Sequence, residues 1–178
     1  MAAIDLIVLG ILKKEPLSAY DIQKLVEYRN ISRWVRISTP SIYKKVLQLA
    51  EKGYIRSTPV KEGKMAQKAV YSLTEAGEAE FTRLMLEVSA QPVHIFLDLN
   101  AVIVNLPGLP PQQQARCLAD IQANVKTMKT YLEENLREKE PLPDIPGMGM
   151  AVLRQQLVLA QAIEDWIACV QDSLEMPQ

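Results

Sequence analysis

Ser41, Lys44, Lys45, Gln48 and Lys52 recur at spacings that place them on one side of a helix, with Ile42, Val46 and Leu49 on the other. The apolar set predicts a core-facing stripe. The polar set carries hydroxyl, ammonium and amide groups, which bond phosphate oxygens and base edges, and Glu51 lies off its centre, so no carboxylate repels a nucleic acid. Hydroxyls at Ser38 and Thr39 are expected to cap this helix, Pro40 fits its first position, and Gly53 closes it.

The neighbouring elements give this face its meaning, since a polar helix face by itself is usually just solvated. Two β-prone runs, residues 54–60 and 69–73, flank a turn containing Gly63 and predict a hairpin with Lys61, Lys64 and Lys68 at or near its tip. A basic hairpin directly after a basic helix reaches phosphates beside the groove the helix enters. Arg29, Arg33 and Arg36 lie in an irregular connection ahead of the helix and are further phosphate candidates, while Trp34 is expected to anchor that connection in the core.

Three landmarks resemble the PadR family of bacterial transcriptional regulators. Residues 17–22 (LSAYDI) are similar to the segment opening the family's second helix. Residues 34–43 resemble its tryptophan and the Ile-Tyr start of its recognition helix, and residues 71–77 (YSLTEAG) resemble the end of its wing. Ala19 departs from the pattern, standing where the family commonly has glycine, and its methyl group is expected to shift helix two slightly. The resemblance implies a mostly α (α+β) chain: an N-terminal winged helix-turn-helix with a two-stranded wing, followed by an all-helical dimerisation domain. It also makes Tyr43 a backbone contact, beside Thr39, Ser41, Lys44, Lys45 and Gln48 on the recognition helix.

Bulk composition agrees with two small domains, 1–90 and 91–178, in a chain of 178 residues. The first contains fourteen Lys or Arg against ten Asp or Glu, and the second six against eleven. A net charge of −1 therefore conceals a basic half and an acidic one. Phosphates respond to the local field, over a Debye length of about 8 to 10 Å, so the acidic average does not exclude DNA binding. The apolar first twelve residues are too short to span a bilayer and lack the basic segment of a secretory signal, so no membrane partner is expected. Cys117 and Cys169 lack metal-ligand spacing and are read as thiols in a reducing cytoplasm.

Within the first domain, Ile4, Ile7, Val8, Ile11 and Leu12 predict a buried first helix. Ser18 with Asp21 caps the second, and Thr74 caps a fourth bearing Phe81, Leu84, Met85 and Val88. Residues 93–106 are apolar on nearly every side and are expected to form an enclosed helix. Leu118, Ile121, Val125, Met128 and Leu132 form a heptad seam on the next. The last helix carries two adjoining stripes, Val152/Leu159/Ile163/Trp166/Val170 and Leu153/Leu157/Ala160/Ile167/Leu174, more than one small core requires. Leu157, Ile163, Trp166, Ile167, Val170 and Leu174 are accordingly the dimerisation candidates. Trp166-Ile167 also resembles the terminal helix of the family's AphA-type subgroup, whose C-terminal helices dimerise.

Catalytic patterns are missing from the sequence. His94 is the sole histidine and sits in an apolar run, and there is no nucleophile elbow, Walker loop or dinucleotide fingerprint. No enzyme activity, metal or cofactor is expected. The leading reading is a dimeric repressor on a pseudo-palindromic operator in double-stranded DNA. The family resemblance adds a small hydrophobic or phenolic effector, with Trp34 and Trp166 the tryptophans available to stack on it. An alternative of another class is an adaptor whose winged helix binds protein without DNA.

Overall fold

The computed structural model describes residues 2–35, 37–61 and 68–175. The chain divides into two compact units, Met1–Val93 and His94–Gln178.

The N-terminal unit is built on α1 (Ala2–Leu12), α2 (Ala19–Tyr28), α3 (Ser41–Glu51) and α4 (Glu75–Ser89), with a small sheet of β1 (Leu17–Ser18), β2 (Ile55–Val60) and β3 (Lys68–Leu73). Its core is aliphatic. Val8 and Leu9 of α1, Ile22 and Val26 of α2, Ile42, Val46 and Leu49 of α3, and Ile55 of β2 are all almost completely buried. Each side chain of this kind contributes about 1.5 to 3 kcal/mol when removed from water. The predicted spacing in α3 is thus its packing face. Trp34 is partly buried against the same core, as expected.

Helix starts follow local side-chain chemistry in two places. The Ser18 hydroxyl accepts from the Asp21 N–H at 3.2 Å and donates to the Asp21 carboxylate at 2.7 Å, fixing the start of α2. Thr74 accepts from the Gly77 N–H at 3.1 Å and donates to the carbonyls of Gly53 and Tyr54, joining the start of α4 to the end of α3. Ala19 is buried beside Ser18 in the core.

The start of α3 differs from expectation. No side chain caps it; instead the Ser38 and Thr39 carbonyls accept from the N–H groups of Ser41 and Ile42, and Ser41's hydroxyl also donates to the Ser38 carbonyl. Pro40 precedes the first helical residue in a helical conformation, so a tight turn feeds the helix directly. At the other end Gly53 adopts φ +74°, the left-handed geometry that ends helices cheaply only at glycine.

The hairpin is antiparallel, with Ile55 opposite Leu73 and Val60 opposite Lys68. Pro59 is tolerated because β2 is an edge strand in the order β1-β3-β2. The sheet has three strands, one more than the wing expected from the sequence: Leu17 and Ser18 pair with Tyr71 and Val70. Gly77 is a steric requirement, since a Cβ there would lie 1.9 Å from the Tyr54 carbonyl oxygen.

The C-terminal unit contains α5 (Leu99–Asn105), α6 (Pro111–Lys139) and α7 (Gly147–Glu175). Contacts of Gln122 with Gln171, Lys129 with Glu164 and Glu140 with Arg154 show α6 and α7 running antiparallel. Leu118, Val125 and Leu132 are buried from α6, as are Met150, Ala160 and Ile167 from α7. Met128 of the predicted seam is 41% exposed.

Residues 93–106 do not form the enclosed helix expected of them. Residues 92–97 have no regular structure, helix begins only at Leu99, and Val93, Ile95, Phe96 and Val104 are 64 to 89% exposed. Apolar composition favours burial, yet among the described residues of one copy these side chains are left mostly exposed. His94 stacks on Phe96 at 5.8 Å between ring centroids. Cys117 and Cys169 are free thiols.

Candidate nucleic-acid interface

Burial of Ile42, Val46 and Leu49 fixes the outward side of α3. Tyr43 is 57% and Leu47 46% exposed, and Lys44 and Glu51 are also exposed. These residues lie three, four and eight positions apart along one face. Ser41 and Gln48 flank them half-buried, Thr39 is half-buried in the turn ahead, and Lys52 is exposed just beyond the helix. Two points differ from the sequence reading: Glu51 stands on the exposed face, and Leu47 occupies its middle.

Lys45 requires a larger correction. Its Nζ lies 2.7 Å from Asp5 Oδ1 in the first turn of α1, with side-chain exposures of 12% and 15%. Asp5 Oδ1 accepts no aligned hydrogen bond, so the contact is an ion pair alone. Lys45 therefore points along the α1 seam and is withdrawn from the face assigned to it. The geometric cause is its position beside the buried row of Ile42 and Leu49, close enough to the α1 interface for a long side chain to reach a carboxylate there.

The wing presents Lys61, which is exposed at the end of β2. Lys64 and Arg36 lie outside the described residues. Lys68, at the start of β3, has its ammonium 3.9 Å from the Asp21 carboxylate of α2, an exposed pair of the kind worth at most about 1 kcal/mol. On the exposed side of α2, Lys24 Nζ sits 5.5 Å from the centroid of the Tyr20 ring. Hydrogen bonding and charge from Glu27 raise the Lys24 pKa, so this ammonium keeps its proton. Charge count alone gave no signal for this Tyr20–Lys24 pair.

The dimerisation candidates fall into two groups. Ile167 is completely buried within the single chain, so it belongs to the α6–α7 contact and is not available to a partner. Leu157, Ile163 and Val170 are half-buried, and Trp166 and Leu174 are 36% and 42% exposed. Trp166, Val170 and Leu174 line a shallow apolar cleft of about 240 Å³ with Ile103, Leu106 and Pro107.

Helix α2, the turn region, α3 and the β2–β3 hairpin together define a winged helix-turn-helix, a DNA-binding fold with an exposed recognition helix. Residues 8–83 match the transcriptional regulator PadR-like family. Solved structures agree at the level of the fold. Bacillus subtilis PadR in complex with operator DNA superposes with a TM-score of 0.82 at 20% identity, covering 97% of this chain and 99% of that one. The Vibrio cholerae virulence activator AphA gives 0.71 at 20% identity over 96% and 97% of the two chains. Bacillus subtilis PadR in complex with p-coumaric acid gives 0.80 at 17% identity over 98% and 96%. No curated protein matches the sequence. Among the described residues, no helix is long and apolar enough to cross a membrane.

Proposed function

We propose that the chain is a homodimeric, cytoplasmic repressor without enzymatic activity that binds a pseudo-palindromic operator, placing one α3 in each of two successive major grooves. The observation carrying this reading is the exposed row of α3, with Lys44 in its first turns and the lysine-bearing hairpin directly behind it. A recognition helix approaches bases through its first turns, so Lys44 is the leading contact, with Tyr43, Ser41 and Gln48 beside it and Thr39 ahead. Lys61, Lys64 and Lys68 hold phosphates from the wing, and Arg36 adds a contact from the preceding connection.

The second copy covers the apolar surface that one copy leaves exposed at Trp166 and Leu174 on α7, together with half-buried Val170, Ile163 and Leu157. An effector is part of the same reading. The p-coumaric acid complex of the Bacillus subtilis protein supports the phenolic class. A mobility-shift assay with DNA upstream of the chain's own gene, at two salt concentrations, tests the main claim: saturable, salt-sensitive retardation is expected, and its absence favours a protein-binding winged helix. Titration with hydroxycinnamic acids, followed by tryptophan fluorescence and operator affinity, tests the effector; no change in either counts against it.

A further inference from the structure

A leucine occupies the centre of the face that meets DNA. Leu47 is 46% exposed, one turn beyond Lys44 and one turn before Glu51. An isolated exposed leucine on a protein surface carries no message. This one stands where the polar groups have been thinned. Lys45 is committed to Asp5, and the Ser41 hydroxyl proton to the Ser38 carbonyl. The middle of the face is therefore apolar, bordered by an ammonium on one side and a carboxylate on the other.

Among the base edges displayed in the major groove, the apolar group is the C5-methyl of thymine; the others are hydrogen-bond donors and acceptors. A branched aliphatic side chain facing polar edges would leave them dehydrated without partners, whereas against a methyl group it loses nothing. We infer that Leu47 is a specificity-determining residue that packs on a thymine methyl in each operator half-site. The inference rests on the DNA-binding reading above. Lys44, one turn nearer the start of the helix, supplies the attraction that brings Leu47 to the groove, and Leu47 supplies discrimination.

The test uses uracil, which pairs as thymine does and lacks only the methyl group. An operator duplex selected by the full-length protein from a random library is resynthesised with each thymine replaced in turn by deoxyuridine, and affinities are measured for the wild type and Leu47→Ala. One position per half-site is expected to weaken wild-type binding about threefold to tenfold, the effect of losing one buried methyl contact. In Leu47→Ala the same replacement is expected to have no effect. A uracil penalty that persists in Leu47→Ala, or none at any position for the wild type, overturns the inference while leaving DNA binding intact. If the wild type selects no DNA at all, the functional reading falls and the inference with it. Alanine at an exposed helical site favours the helix, so the fold is retained. Should Leu47→Ala bind too weakly to measure, Leu47→Met is run on the same duplexes. It is expected to keep the uracil penalty at the same position, and loss of that penalty alongside wild-type affinity overturns the assignment.

Discussion

Replacing Lys45 by methionine leaves the Asp5 carboxylate without its counter-charge in a seam where only 15% of its side-chain surface reaches water. At 2.7 Å the attraction between two unit charges is about 6 kcal/mol for an effective dielectric of about 20, much of it offset by the cost of drying both groups. The measurable quantity is the loss on removing one partner, about 3 to 5 kcal/mol for fully buried pairs. Residual exposure lowers that here, so Lys45→Met is expected to cost about 2 to 3 kcal/mol, and Asp5→Leu a comparable amount. The double variant Asp5→Leu/Lys45→Met removes both charges and should return close to wild-type stability. Urea unfolding followed by Trp34 fluorescence in a Trp166→Phe background reports on the N-terminal unit. The same double variant is then titrated with operator DNA: because Lys45 faces α1, its salt slope should match the wild type. Single variants costing less than about 0.5 kcal/mol, or a salt slope reduced by about one unit in the double variant, would refute the reasoning and return Lys45 to the DNA face.

Four further outcomes are expected. Lys44→Ala should weaken operator binding and reduce the salt slope by about one unit if its ammonium holds a phosphate, with circular dichroism unchanged. Gly77→Ala should destabilise the N-terminal unit by at least ~2 kcal/mol, read as a lowered urea midpoint, because its Cβ would collide with the Tyr54 carbonyl. Trp166→Asp should give a folded monomer by light scattering with operator affinity lower by about two to four orders of magnitude, whereas Ile167→Asp should unfold the α6–α7 pair; a dimeric Trp166→Asp would place the interface elsewhere. Hydrogen bonding from Arg83 holds the Glu80 carboxyl below its usual range, so its stabilising contribution is full above the unfolded-state pKa and fades as pH falls through the folded one. The stability gap between wild type and Glu80→Gln should therefore shrink below about pH 4, and a gap that widens there would reverse the sign.

Features decided within a few residues were legible in the sequence. The Ile42/Val46/Leu49 row, the hydroxyl caps at Ser18 and Thr74 and the glycine stop at Gly53 all follow from side chains acting on their own helix. What escaped depended on distant partners. Lys45 looks like any outward lysine until Asp5, forty positions earlier, is brought beside it by packing of α1 on α3. With Lys45 turned inward, Leu47 rather than an ammonium holds the centre of the exposed face, which side-chain type alone did not reveal. The two residues of β1 have no pattern of their own and become a strand only because β3 offers an unpaired edge. Residues 93–106 erred in the opposite direction: their apolar run reads as one buried helix, but the stretch up to Leu97 has no regular structure and Val93, Ile95, Phe96 and Val104 stay mostly exposed in one copy.

The β1–β3 pairing has a kinetic consequence. Leu17 meets Tyr71 across more than fifty intervening positions, and α1 packs on α4 across a longer interval still, so the unit is closed by contacts of high sequence separation. Closing so long a loop costs conformational entropy before the contact returns any stabilisation, which slows folding relative to a purely helical domain of the same size. During synthesis α1, α2 and α3 emerge first, yet Ser18, at the head of α2, acquires its strand partner only when Val70 arrives. The core shared by the first three helices is therefore completed only when the wing and then α4 have been made, so the hairpin that carries the wing lysines also ties the head of α2 into the sheet.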